Sequence, residues 1–352
     1  MTLLQKKNVL IELGNFLRQF SENESVTNAE VLHNDLFFIR FKDLIHLSQS
    51  HNGWYTTQQV YFAVRSWADA LTAENLNKWL SAYDFKEVQP KTVGLILAGN
   101  IPLVGFHDFI CVIISGHKAL VKTSSNDQHL LPFLAQYMIA VAPELSEYIR
   151  FTEGRMENFD AVIATGSNNT SRYFEFYFKD KPSIIRKNRN SVAVLTGKET
   201  HEQLVALGED IFRYFGLGCR NVSKLFVPKG YDFDVFFNAV YEYREVIHYE
   251  KYANNYDYNK AVFLMSNFKL LDNAFLTLKE DSSYASPISS VFYEFYEDIE
   301  SLQHRLDAEN DQLQCVVSDN IFPNSIPFGT TQKPALWDYA DNVDTMQFLL
   351  NL

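Results

Sequence analysis

Cysteine, positive charge and long apolar runs are all scarce in this chain. Its three cysteines, at 111, 219 and 315 of 352 residues, cannot form a full disulfide set, and Cys111 lies inside the apolar run Phe109-Ile110-Cys111-Val112-Ile113-Ile114. A disulfide-stapled secreted framework is therefore excluded, and a reducing cytoplasm is the expected setting. No apolar run approaches the roughly 20 residues a membrane span needs. The start, Met1-Thr2-Leu3-Leu4-Gln5-Lys6-Lys7, passes into helically spaced sequence with acidic residues, unlike a signal peptide. Lys and Arg number 31 against 43 Asp and Glu, a formal net charge of -12, which argues against nucleic acid or an anionic membrane as partner. Neither a Gly-x-Gly-x-x-Gly fingerprint nor a phosphate loop occurs. His107, His117, His129, His201 and His248 show no ligand spacing with cysteines or carboxylates, so no metal site is expected.

Apolar residues make up 47% of the chain, enough for two cores, and the length suits two domains. Phe 29 and Tyr 19 favour large packed clusters or an acyl-binding cleft, and packing is the simpler reading. Up to about residue 88 the spacing is helical, as at Leu10, Leu13, Leu17 and Phe20, and predicts a helical lead-in covering a sheet. From there strands over 93–98, 119–122 and 160–165 alternate with helices over 102–115 and 132–142, which predicts a parallel sheet with helices on both faces. Beyond residue 190 strands are expected at 191–195, 224–227, 275–278, 290–295 and 313–317. Helices are expected at 202–215, 233–246, 249–265 and 299–306. The domains divide as 1–190, 191–325 and a return segment 326–352.

Cys219 stands in Phe215-Gly216-Leu217-Gly218-Cys219-Arg220-Asn221. Glycines at 216 and 218 clear space around the sulfur, and Arg220 adds a fixed positive charge of the kind that raises the thiolate fraction. If residues 221–225 open an element directly, their backbone N–H groups offer donors to an oxyanion. The local pattern fits a presented nucleophile and a buried cysteine beside a glycine turn equally well.

The order of strand, Gly99-Asn100-Ile101-Pro102, strand, Lys122-Thr123-Ser124-Ser125, strand, Thr165-Gly166-Ser167 and then the Gly-x-Gly-Cys turn resembles the aldehyde dehydrogenase superfamily, and within it the LuxC-like acyl-CoA reductases. The likeness runs over about 88–350, including Ser286-Pro287 and Pro327-Phe328-Gly329. It implies an α/β, aldehyde-dehydrogenase-like fold of two Rossmann-type parallel-sheet domains behind an N-terminal helical lead-in. It also implies reduction of an acyl-CoA or other acyl thioester to the aldehyde, through a covalent acyl-enzyme on Cys219 with Asn100 as oxyanion donor. Lys122 and Ser124 match the ribose-binding positions, and Thr165, Gly166 and Ser167 the helix start that meets the cofactor.

Departures sharpen this picture. Ser125 stands where many NAD-specific members carry a glutamate that would repel a 2′-phosphate, which leaves NADPH admitted and somewhat favoured, with NADH not excluded. Arg186 falls where aldehyde-oxidising members keep the glutamate that activates water, which fits thioester reduction better than hydrolysis to free acid. Ser283 falls where many relatives hold the nicotinamide ribose with a glutamate. A homodimer is expected, because sheet edges in the superfamily commonly pair between subunits. The alternative is a non-catalytic acyl-CoA or nucleotide-binding module that keeps the fold.

Overall fold

The computed structural model describes residues 1–85 and 88–352. The chain forms two units, residues 1–187 with 335–352, and residues 188–334. The first unit contains α1 (Leu3–Leu17), α2 (Asn34–His51), α3 (Thr57–Ala70), α4 (Ala73–Leu80), β1 (Thr92–Ile96), α5 (Phe106–Ser115), β2 (Lys118–Lys122), α6 (Leu130–Val141), β3 (Ile149–Phe151), β4 (Ala161–Thr165), α7 (Asn168–Tyr177) and β5 (Ser183–Arg186). The second contains β6 (Asn190–Val194), α8 (His201–Phe212), β7 (Val222–Pro228), α9 (Phe233–Val240), α10 (Glu250–Met265), β8 (Leu270–Asp272), β9 (Thr277–Glu280), β10 (Ser290–Tyr296), α11 (Ile299–Ala308) and β11 (Leu313–Val317). The chain then returns to the first unit with α12 (Thr345–Leu350).

The first sheet has strand order β3-β2-β1-β4-β5 and is parallel throughout. Connections run one way from β1 to β3 and the other way from β4 to β5, so the strand order reverses between β1 and β4. In open α/β sheets the crevice outside the carboxyl ends of the strands at such a reversal is where ligands bind. The second sheet has order β11-β6-β7-β10-β9-β8, parallel except for the antiparallel edge strand β8.

The lead-in is helical because its apolar residues recur every three or four positions and its ends are capped. Thr2 and Gln5 form a capping box at the start of α1, and Thr56 and Thr72 cap α3 and α4. The buried face of α1 carries Val9, Leu10, Leu13, Phe16 and Leu17. Phe16 stacks on Tyr137 of α6 at 4.2 Å and meets Phe41 of α2 at 5.6 Å, while Phe41 stacks on Phe133 at 5.1 Å. The aromatic surplus in this region is thus packing; each fully buried ring contributes about 2–3 kcal/mol of transfer free energy.

The short strands β3, β5 and β8 and the helix α12 lie outside the elements expected from periodicity, because three to six residues carry too little pattern. Helix α8 ends at Phe212, not 215. Tyr214 (φ 53°), Phe215 (φ 58°) and Gly216 (φ 78°) turn the backbone left-handed in succession and stop it. No helix among the described residues is long and apolar enough to cross a membrane.

Candidate active site

Six of the residues singled out from sequence collect at one edge of the first sheet. Asn100 lies exposed in the loop after β1, Lys122 ends β2 with Ser124 in the loop beyond it, and Thr165 ends β4 with Gly166 and Ser167 following. These are the carboxyl ends of three neighbouring strands, on both sides of the reversal. Lys122 donates to the Gly154 carbonyl at 3.0 Å. Ser124 Oγ accepts from Asn126 N at 3.2 Å, and Ser125 is exposed. Ser167 is the N-cap of α7, its hydroxyl accepting from Thr170 N at 3.2 Å.

Two glycines permit the close approach of these loops. A methyl group at Gly99 would lie 2.8 Å from Ser124 Cβ and 2.9 Å from its Oγ, so the β1 and β2 loops touch with no room for a side chain. At Gly166 the same group would crowd Thr170 and Phe174 at about 3 Å, which keeps the start of α7 tight against β4.

Three residues that sequence reasoning passed over secure the β1 loop. Tyr55 donates its hydroxyl to Ile101 O at 2.9 Å. Leu103, at φ 58°, donates its N–H to Asp127 Oδ2 at 3.2 Å. Asn52 reaches the carbonyls of both Gly99 and Asn126. Burial pushes the Asp127 carboxyl up to about 6 against the lowering effect of the donors around it. Their side chains had no motif to announce them; only the fold brings 52 and 55 next to 99–103.

Cys219 belongs to the second unit and is exposed, whereas Cys111 and Cys315 are buried. It sits in the turn between α8 and β7, closed by Asn221 N donating to Gly218 O at 3.0 Å. The buried Asn221 is the hub of that turn. Its Oδ1 accepts from Gly218 N at 2.8 Å, and its Nδ2 donates to the carbonyls of Asp210 (3.0 Å), Ile211 (3.3 Å) and Arg213 (2.7 Å), the orphan end of α8. Ser191 of β6 donates to the Cys219 carbonyl at 3.0 Å.

Left-handed conformation costs about 1–2 kcal/mol for each non-glycine residue, and Tyr214 and Phe215 both adopt it. Packing holds them there: both rings are buried, and Phe215 stacks on Tyr249 at 4.6 Å. The aromatic stretch 249–258 is therefore mostly packing, since Tyr252 and Tyr256 are buried and bonded to Phe275 O and Asp272, although Tyr258 faces solvent.

Residues 222–228 form strand β7, directly after the cysteine turn. The Arg220 guanidinium lies 3.4 Å from the sulfur of Cys315. Asp210, fully buried on α8, accepts from Gly329 N (2.6 Å), Thr331 N (3.0 Å) and Thr331 Oγ1 (2.8 Å), tying the Pro327-Phe328-Gly329 segment to the helix that leads into the cysteine turn.

Arg186 is a buried structural residue. It bonds Asp108 of α5 at 2.6 and 3.1 Å, Thr345 Oγ1 at 2.8 Å and Ala340 O at 2.7 Å. Ser283 has its N–H on Asp281 at 2.8 Å. His117 accepts from Lys91 N through Nδ1 and donates to Leu349 O through Nε2, which anchors α12.

Comparison with known proteins fits this architecture. The chain superposes on an aldehyde dehydrogenase from Sinorhizobium meliloti with TM-score 0.63 and 11% identity, over 90% of this chain and 70% of that one. It superposes on the NAD+ complex of an aldehyde dehydrogenase from Bacillus cereus with TM-score 0.60 and 13% identity, over 90% and 72%. The fold is aldehyde-dehydrogenase-like. Residues 72–236 match the family described as acyl-CoA reductase (LuxC). A long-chain acyl-protein thioester reductase from Aliivibrio fischeri is 23% identical over 231 residues, 58% of this chain, and the chain spans 47% of that relative's length. The LuxC-like match takes in the loops after β1, β2 and β4 and the cysteine turn.

Proposed function

We propose that this LuxC-like chain is an acyl-thioester reductase that makes an aldehyde from an acyl-CoA or another acyl thioester, with NADPH as the reductant. The observation that carries the reading is the Cys219 turn: an exposed thiol in a turn pinned by Asn221, a few residues after Tyr214 and Phe215, whose buried rings hold that stretch left-handed. Strain stored in the buried segment that leads into an exposed cysteine fits a site that must hold its geometry before substrate arrives.

In this reading the Cys219 thiolate attacks the thioester carbonyl carbon, the carbon–sulfur bond to the carrier breaks, and the carrier leaves as its thiolate. The Asn100 amide donates to the oxygen that becomes anionic. NADPH held at this edge would supply the hydride that turns the acyl group into an aldehyde, and Cys219 would be the leaving group, its carbon–sulfur bond breaking to return the thiolate as the aldehyde departs. Lys122, Ser124 and the Thr165-Gly166-Ser167 turn hold the nucleotide. The donor set fits it: a cation, hydroxyls and a capped helix start gathered at the strand reversal, with no carboxylate at Ser125 to repel a 2′-phosphate. The protein acts as a homodimer in the cytoplasm. The relative named for an acyl-protein thioester makes a protein-borne acyl group a second donor to test beside acyl-CoA.

Purified protein mixed with NADPH and a panel of acyl-CoAs tests the proposal, followed by loss of nicotinamide absorbance and by aldehyde trapping. Oxidation of NADPH with a matching yield of aldehyde is the expected result; no turnover with any thioester, free or protein-borne, refutes it.

A further inference from the structure

Two loops at the carboxyl edge of the first sheet are joined by one side chain from the helical lead-in. Asn52 follows the last turn of α2, is 9% exposed, and has its backbone fixed by donating to Ser48 O at 2.9 Å. Its Oδ1 accepts from Trp54 N at 3.0 Å, which orients the amide. Its Nδ2 then donates one hydrogen to Gly99 O at 3.4 Å and the other to Asn126 O at 3.3 Å. Gly99 precedes Asn100, and Asn126 lies two residues after Ser124. With Gly99 already seated against Ser124, the amide closes a contact that sterics opened.

The choice of residue follows from the acceptors. Two carbonyls from different loops point at one place, and only a primary amide of this length offers both two donors and one acceptor there. An aspartate would keep the bond to Trp54 N and turn the other oxygen against two carbonyls. An alanine would leave both carbonyls without this partner.

We infer that Asn52 is a positioning residue that latches the β1 loop to the β2 loop, and so sets the oxyanion donor Asn100 in register with the nucleotide held at Ser124. This rests on the roles proposed above for those two residues. The consequence is a coupled one: loosening the latch weakens dinucleotide binding and slows aldehyde formation together, although Asn52 touches neither ligand.

The test compares wild type with Asn52→Asp, and with Asn52→Ala should the first variant not fold. NADPH and NADH affinities are measured by fluorescence titration, aldehyde formation by steady-state kinetics, and Cys219 accessibility by iodoacetamide labelling, which needs neither loop. The expected result is dinucleotide binding weaker by about tenfold and kcat lower by about tenfold or more, as loss of two hydrogen bonds implies. Cys219 labelling stays within about twofold of wild type, because the cysteine turn folds in the other unit. Wild-type dinucleotide affinity in a folded variant overturns the latch. So does a loss that appears equally in Cys219 labelling, which reports general unfolding. Weaker dinucleotide binding by the variant upholds the latch even if the wild type reduces no thioester, an outcome that removes only the reductase reading.

Discussion

Arg186 and Asp108 meet in a two-pronged ion pair of 2.6 and 3.1 Å, with only 5% and 9% of their side chains exposed. Burial acts to neutralise both groups, but their mutual attraction prevails: the aspartate is held below the usual carboxylate range and the guanidinium above its own. The pair joins β5 to α5, and through Thr345 and Ala340 it also grips the returning segment. Removing one partner leaves the other charge buried alone. Arg186→Met is expected to cost about 3–5 kcal/mol in urea unfolding, and the double variant Arg186→Met with Asp108→Leu to recover most of it. A cost below about 1 kcal/mol for the single variant would mean that water reaches the site.

Cys219→Ala is expected to abolish aldehyde formation while leaving dinucleotide affinity within about twofold, since its turn lies outside the unit that carries Lys122 and Ser124. In the wild type, iodoacetamide is expected to modify Cys219 ahead of the buried Cys111 and Cys315, with acyl-CoA protecting it. Mass spectrometry of the labelled peptides checks both points.

Asn100→Ala is expected to lower kcat by roughly 100-fold, the usual cost of losing one oxyanion donor. A loss under about threefold would assign Asn100 to the loop's shape alone.

Ser125→Glu is expected to shift the kcat/KM preference toward NADH by about tenfold or more, through repulsion of the 2′-phosphate. Parallel assays with both dinucleotides measure the shift. An unchanged ratio would place the 2′-phosphate elsewhere.

Asp210 supplies a pH dependence. Burial raises its carboxyl to about 6 from an ordinary value of 3.8, against the bonds from Gly329 and Thr331, which act to lower it. A raised acid in the fold means the unfolded chain gives up its proton first. The stability from this group is complete below about pH 4 and is lost as pH rises through about 6. Asp210→Asn cannot lose a proton, so its stability relative to wild type should improve between pH 4.5 and pH 8, by about 2 kcal/mol. Urea unfolding of both proteins at several pH values reads the difference directly.

Alternation of apolar strands with helices was legible because each central strand is a run of buried residues and each long helix a spaced stripe. Val93 and Leu95 in β1, or Leu204, Leu207 and Ile211 in α8, are visible as pattern. The edge strand β5 was not, because four residues ending in an arginine look like a loop until Asp108 is found waiting for that arginine. The same holds around the site. Asn100 and Cys219 stand in recognisable turns and Lys122 ends a recognisable strand, whereas Asn52, Asp127 and Asn221 act on backbone groups brought near only by folding. A side chain that serves another segment's main chain leaves no periodicity and no motif.

The return of residues 335–352 to the first unit has a consequence for synthesis. The second unit is one continuous stretch and can close as soon as it clears the ribosome, but the first has to wait, with α5, His117 and Arg186 missing part of their contacts, until Ala340, Thr345 and Leu349 have been translated. During that interval nascent chains present an open apolar surface to chaperones, and premature termination near the end would leave an intact cysteine turn attached to a first sheet that never finishes folding.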